Sequence, residues 1–380
     1  MSPNVDERVH VLVSDSMRRP SYPKRFDGTW PYPTSMTVNV GIIGATGAVG
    51  QRLIQLLDPH PDFAIEALTA SESSAGRTYR EAAKWRIDAP IPDSVADTEV
   101  GETAPDAVPD DVDLVFSSLP SSVGEVVEPA FCEAGYVVSS NSSNHRRAGD
   151  VPLTIPEVNP DHLDLIEVQR DERGWDGALV KNPNCSTITM VPPLAALDEL
   201  SGVERVEVAT LQAVSGAGYS GVSSMEIIDN AIPYIGREEG KMETETRKLL
   251  GTFDGAAVHW HEADIAASCN RIPTIDGHLE NVWADTATDV SPAEVGEAMT
   301  DYPSLDLPSS PEQLIEVFDE PDRPQPRLDR NLGEGMTVSV GGIQETTGGV
   351  QFNTLAHNTL RGAAGASVLN GELLLENGYL

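Results

Sequence analysis

The chain has 380 residues, 39% of them hydrophobic, which suits two domains with ordinary cores and excludes global disorder. Sixty acidic residues (60) against 25 basic ones give a formal charge of −35, which speaks against nucleic acid or an anionic membrane surface as a partner. The acids are spread along the whole chain rather than blocked at one end, so they read as a surface adapted to high salt, where charge is screened within ~3 Å at 1 M, and not as a recruitment tail.

No apolar run approaches the roughly 18 residues of a membrane-crossing helix. The cysteines are Cys132, Cys185 and Cys269. Their odd number and long spacings support neither a disulfide framework nor a cysteine zinc site, and no metal is expected. A reducing cytoplasm fits them.

Residues 1–36 are proline-bearing and hold no sustained period. Val9–Val13 is too short for a signal sequence, and Asp6, Glu7, Asp15 and Asp27 are out of place in a transit peptide. The segment reads as a disordered extension ending at Met36, ahead of the first clear strand. Thr37–Ile43 is that strand, Gly44–Gly50 a glycine turn and Gln51–Leu57 a helix. Phe63–Ala70, Leu114–Ser118 and Tyr136–Ser140 are further strands, with a helix near Gly124–Glu133. Strands alternating with helices predict a parallel, doubly wound α/β sheet of the Rossmann kind.

After Cys185 the pattern changes. Val203–Val214, Ile265–Arg271, Val282–Thr288, Gln313–Val317 and Met336–Gln344 alternate over long spans. Helices are expected near Val222–Ala231 and Lys241–Leu250. This predicts an α+β domain with a mixed or antiparallel sheet covered by helices on one face. Asn358–Leu374 returns to helix. The expected division is 37–181 plus 357–380 for a nucleotide domain and 182–356 for a second domain.

Two stretches carry chemistry. Gly41-Ile-Ile-Gly44-Ala-Thr-Gly47-Ala-Val-Gly50 lies between a strand and a helix, where glycines let backbone approach a pyrophosphate held on the helix N-terminus. The second strand is followed by Ser71, Glu72, Ser74 and Arg77. Hydroxyls and an arginine suit the 2′-phosphate of NADP, whereas Glu72 alone suits the ribose of NAD. Asn182-Pro183-Asn184-Cys185 places a cysteine where a loop enters a helix, and a helix N-terminus favours the nucleophilic thiolate. A base is needed, and His278, seven residues after Arg271, is the informative histidine, although spacing does not show that it meets Cys185.

In order along the chain stand GATGAVG, SNSSNHRRAGDVPL, NPNCST, Gln212, EEGKMETET and RIPTIDGH. From Val38 onward this set resembles the aspartate-semialdehyde dehydrogenases, most closely their archaeal and fungal branch. The resemblance implies that Cys185 attacks an aldehyde, His278 is the general acid/base and Gln212 orients the substrate. It implies that Arg271 holds an α-carboxylate, Glu238 an amine, and Lys241 and Arg146 phosphate, with Arg147 competing for the last role. Implied NADP contacts are Gly44, Thr46, Gly47 and Val49 in the turn, Ser71, Arg77 and Ser118 beyond it, and Asn358 at the returning helix.

The implied reaction passes through a Cys185 thiohemiacetal, whose oxyanion meets backbone N–H groups of the helix start, and a thioester opened by phosphate. The product is L-4-aspartyl phosphate, on the route to lysine, threonine and methionine. The resemblance also implies a homodimer or homotetramer, with 182–356 as the catalytic and dimerisation domain. Competing readings are a malonyl- or succinyl-CoA reductase on the same scaffold, an N-acetyl-glutamyl-phosphate reductase, whose usual turn carries a glycine before the cysteine, and a non-catalytic NADP sensor.

Overall fold

Val38–Ile43 (β1) has its last four residues buried. A strand enclosed in this way belongs inside a parallel sheet with helices on both faces. The structure, a computed structural model, describes residues 37–380; the disordered extension expected over 1–36 lies outside the described residues. With β1 run β2 (Phe63–Ala70), β3 (Gly101–Glu102), β4 (Leu114–Ser117), β5 (Val137–Ser140) and β6 (Ala178–Lys181). Their order is β3-β2-β1-β4-β5-β6 and every neighbouring pair is parallel. The order reverses between β1 and β4, the place where such sheets hold ligands beyond their carboxyl ends.

On one face pack α1 (Ala48–Leu57) through Leu53 and Ile54, and the terminal helix through Val368 and Leu374. On the other lies α2 (Ser121–Glu133), burying Phe131 against Val115, Val138 and Leu179. A further helix, α3 (Leu165–Arg173), precedes β6.

Beyond β6 come α4 (Cys185–Ser201), β7 (Val203–Gln212) and α5 (Glu238–Leu249). There follow the short pair β8 (Thr252–Phe253) and β9 (Val258–His259), then β10 (Asp264–Arg271) and β11 (His278–Thr286). Next are α6 (Pro292–Thr300), β12 (Ile315–Phe318), β13 (Val338–Thr346), β14 (Gly349–Ala356) and α7 (Gly365–Glu376). The second sheet has the order β10-β7-β11-β14-β13-β12. Its outer pairs, β10 with β7 and β12 with β13, are parallel and the inner ones antiparallel, so the sheet is mixed.

One face is covered by α4, α5 and α6 around Met190, Leu194, Val208, Val282 and Phe352. The opposite face presents Arg205, Glu207, Asp285 and Trp283, the last 42% exposed. Helix α7 goes back to the first sheet: Ser139 Oγ lies 3.1 Å from the Ser367 carbonyl, and a Cβ added at Gly371 would come within 2.9 Å of Leu114.

Four expectations need correction. The helix near Val222–Ala231 shrinks to Ser224–Ile227, because Gly221 (φ +52°) and Asp229 (φ +59°) take left-handed conformations at its ends. The strand expected from Val282 begins at His278; inward-facing His278 and Glu280 hide the alternation there. β14, central in the second sheet, goes unseen because Gln351 and Asn353 alternate with its buried positions and one of those positions is the polar Thr354. The terminal helix opens with a π-helical turn, Leu360–Ala364, rather than continuous α-helix.

Candidate active site

Asn184 caps α4: its Oδ1 accepts the N–H groups of Ser186 (2.9 Å) and Thr187 (3.3 Å). The Asn184 carbonyl takes the Ile188 N–H. This corrects the expectation of several free N–H groups around the nucleophile. Asn184 consumes three, and Cys185 N–H is the first-turn donor it does not engage. Against Cys185 lies the π turn, where a Cβ added at Gly362 would stand 2.7 Å from Cys185 Cβ. Only glycine permits that approach. A fully buried ion pair within the described residues, Arg361 to Glu157 at 2.7 and 2.9 Å, holds the turn in place.

Cys185 Sγ and His278 Nε2 are 3.2 Å apart. His278 Nδ1 accepts the Ala213 N–H at 3.1 Å. A neutral ring with Nδ1 so engaged carries its proton on Nε2, facing sulfur. Burial pushes the Cys185 thiol up to about 12; Glu238 adds to the rise, while Arg271, Lys241 and Arg146 pull it back. Burial likewise pulls His278 down to about 3, helped by Arg271. Both directions favour an uncharged resting pair, with His278 poised as a hydrogen-bond donor.

Helix α5 supplies the surrounding charge. Glu238, Lys241 and Glu245 fall three and four residues apart, so one helix face carries all three. Glu238 accepts from Asn184 Nδ2 (2.8 Å) and from Lys241 Nζ (2.9 Å). Glu245 accepts the Asn184 N–H (2.6 Å) and Arg146 Nη1 (3.0 Å). Glu245 was missed in the sequence; its spacing from Glu238 was the available signal. Arg146 is buried and also donates to the Asn141 carbonyl (2.8 Å), whereas Arg147 is exposed. Arg146 is therefore the one that faces the cluster, already paired with a carboxylate.

Arg271 closes the other side. Its Nη1 donates to the Ala213 carbonyl (2.6 Å), and a Cβ added at Gly216 would lie 3.0 Å from that nitrogen and 3.4 Å from His278 Nε2. Gln212, the register partner of Arg271, donates from Nε2 to Ser186 Oγ (2.5 Å). Asn358 accepts the Gly277 N–H and donates to Ser215 Oγ, each at 2.8 Å, beside the start of β11.

The glycine turn fits a dinucleotide on its own geometry. Gly44 has φ +80°, and a Cβ there would meet Ser118 Oγ at 2.9 Å; one at Gly50 would meet the Gly44 carbonyl at 2.4 Å. Gly47 is the N-cap of α1 and offers no side chain to the first-turn N–H groups, which stay open to an anion. Thr46 and Val49 are part-exposed on the turn, and Ser118 donates to the carbonyls of Ile43 and Gly44. Ser71, Glu72 and Arg77 stand exposed beyond β2, with Ser74 buried among them and Arg77 reaching the Glu81 carbonyl.

Comparison with known proteins agrees along nearly all the described length. Residues 39–166 match the family model "Semialdehyde dehydrogenase, NAD binding domain", and residues 193–361 match "Semialdehyde dehydrogenase, dimerisation domain". The aspartate-semialdehyde dehydrogenase of Archaeoglobus fulgidus is 51% identical over 90% of this chain and 99% of its own length. That of Schizosaccharomyces pombe is 44% identical over 90% of this chain and 99% of its own length. The crystal structure of the Candida albicans enzyme with NADP has a TM-score of 0.84 at 40% identity, covering 91% of this chain and 100% of that one.

Proposed function

The chain belongs to the aspartate-semialdehyde dehydrogenase family, and from that premise we propose that it catalyses the reversible, NADP- and phosphate-dependent oxidation of L-aspartate 4-semialdehyde to L-4-aspartyl phosphate. The biosynthetic direction is the reverse, leading to lysine, threonine and methionine. The observation that carries this reading is Cys185 Sγ at 3.2 Å from His278 Nε2, within the field of Arg271, Lys241 and Arg146.

Each group has a task. Arg271 takes the α-carboxylate with its planar fork, and Glu238 takes the α-ammonium. The minor thiolate form of Cys185, its proton given up to solvent because His278 Nε2 already carries one, adds to the aldehyde carbon, giving a tetrahedral thiohemiacetal. The developing oxyanion is met by His278 Nε2–H and the Cys185 N–H, with Gln212 orienting the substrate. Bound NADP+ supplies the hydride acceptor. Gly44, Thr46, Gly47, Val49 and Ser118 would hold its pyrophosphate side, Ser71 and Arg77 its 2′-phosphate, and Asn358 its nicotinamide end. Loss of hydride leaves an acyl thioester on Cys185, which phosphate opens, returning the thiolate. Lys241, whose side chain is 31% exposed, is the accessible phosphate holder. Arg146 sets the field behind it through Glu245.

The first sheet with α7 supports assigning 37–181 plus 357–380 to the cofactor, and the second sheet supports assigning 182–356 to catalysis and dimerisation. The open face around Trp283 suits the subunit contact of a homodimer or homotetramer. Three free cysteines fit a reducing cytoplasm. The charge of −35 fits a high-salt setting, so melting temperature should rise with added KCl. Partners are the small substrate and phosphate; nucleic acid and membrane are not among them.

Intact-mass analysis tests the chemistry. Enzyme given aspartate semialdehyde and NADP+ without phosphate should gain one acyl group on Cys185, and phosphate should discharge it. An enzyme that turns over without passing through an adduct at Cys185 would contradict the reading.

A further inference from the structure

Beside the first turn of α4 lies a group of polar side chains, of which the chemistry above uses only Gln212. Glu280 sits on β11 two residues after His278, so both point to the face covered by α4. Glu280 is fully buried, and the Ser186 hydroxyl that lies beside it is not aligned well enough to satisfy either carboxyl oxygen. Its polar neighbour is the hydroxyl of Ser186, the residue after the nucleophile. Ser186 Oγ in turn accepts from Gln212 Nε2 at 2.5 Å, and Gln212 Oε1 is itself buried without a partner. Three acceptor atoms without partners thus belong to two residues that both meet the Ser186 hydroxyl, and the pairing of Leu279 with Leu211 puts Glu280 and Gln212 on the same face of the sheet.

A buried carboxyl without partners weakens a fold, since its lost hydration is not replaced. Stability gives no reason to place one here. Ionised, Glu280 would also face Glu238, a charge of the same sign. Burial pushes its carboxyl well above the usual range, which keeps it as the neutral acid. A neutral acid supplies the donor that this group lacks. Its O–H can bond Gln212 Oε1 while the Ser186 O–H bonds its carbonyl oxygen, closing a ring beside the first turn of α4.

We propose that Glu280 is a positioning residue for the reaction at Cys185: with Ser186, it fixes the orientation of the Gln212 amide. This rests on the assignment of Gln212 to the reaction centre. Glu280 touches no reacting atom and acts only through Gln212.

Four variants test it, each read by kcat, the KM for NADP+ and melting temperature. Glu280→Leu takes the donor away from Gln212 Oε1 but also removes a buried carboxyl, so melting temperature should change little while kcat falls about tenfold and the NADP+ KM stays put. Glu280→Gln offers a donor and an acceptor in the same shape and should return kcat to within about threefold of the parent. In a Gln212→Ala background, Glu280→Leu should cost less than about a further twofold, because the residue it acts through is gone. A Glu280→Leu enzyme with parental kcat, or a Glu280→Gln enzyme as slow as Glu280→Leu, overturns the inference. So does a full additional loss in the Gln212→Ala background. If Gln212→Ala slows turnover and Glu280→Leu does not, only the role of Glu280 fails. If Gln212→Ala itself leaves kcat intact, the assignment of Gln212 fails first.

Discussion

Two ionic clusters flank the turn Asn182–Asn184. On the sheet side, Lys181 pairs with Glu128 and donates to Ser140 (2.8 Å) and Ser142 (2.7 Å), with both charged side chains 0% exposed. Glu128 is further met by Ser117 and Asn144. Burial pushes the Glu128 carboxyl up, but Lys181, Ser140 and Ser117 bring it below its usual value; burial pulls Lys181 down to about 8 against the pull of Glu128. On the helix side, Glu238, Lys241, Glu245, Arg146 and Arg271 stand around Cys185, and Lys241 stays partly open. The first cluster satisfies itself and has nothing left for a ligand. The second has cationic capacity to spare, in a chain short of cations. Residue types that look alike in sequence thus serve, in one place, to hold the 141–147 loop and the nucleophile turn together, and in the other to bind and polarise.

Substitutions should separate the two. The largest effect lies at the thiol between them. Cys185→Ala should lower kcat by about a thousandfold or more while NADP binding and melting temperature stay at parental values. Lys181→Met strands Glu128 without its counter-charge and should cost about 3–5 kcal/mol of unfolding free energy by denaturant titration. Whatever remains folded should keep its phosphate KM; a rate loss without a stability loss would place Lys181 in the reactive cluster instead. On the other side, Arg271→Lys should lower kcat/KM by well over about tenfold at unchanged stability, since an ammonium cannot replace the fork. Lys241→Ala should raise the phosphate KM about tenfold and leave kcat at saturating phosphate nearly untouched.

The smallest and most local effect is on thiol reactivity. Because burial raises the Cys185 thiol, the thiolate is scarce at neutral pH and grows as pH rises. Iodoacetamide labelling of Cys185 in the cofactor-free enzyme should therefore climb steadily from about pH 6 to about pH 9. His278, pulled down to about 3, stays neutral through that window and adds no step. A plateau reached below about pH 7 would mean a resting thiolate–imidazolium pair instead.

How much of this was legible differs by region, for physical reasons. The cradle could be read from its glycines, because backbone geometry there depends on residues adjacent in sequence: Gly44 at φ +80° and Gly50 pressed on the Gly44 carbonyl. The four inner strands of the first sheet, β2, β1, β4 and β5, could be read because they are apolar runs interleaved with helices; the edge strands went unseen, β3 because it is two residues long and β6 because its four residues end in the buried Lys181. The reactive cluster is assembled from the 141–147 loop, α4, β7, α5, β10 and β11, and no local period says that they meet. Glu245 escaped notice because it looks like one more acid on a solvated helix. Glu280 and His278 hid the start of β11 by putting polar residues where a strand shows apolar ones. The N–H groups of the α4 start were expected at the oxyanion because sequence does not show that Asn184 folds back to take them.

The central claim is that Cys185 carries an acyl group to phosphate, with Arg271, Glu238 and Lys241 selecting an amino-acid semialdehyde. The most direct test is the initial rate of NADP+ reduction by the purified full chain with L-aspartate 4-semialdehyde, with phosphate as the varied component. The account predicts a saturable dependence on phosphate and release of L-4-aspartyl phosphate. A rate indifferent to phosphate, together with NADPH-dependent reduction of malonyl- or succinyl-CoA, would contradict it.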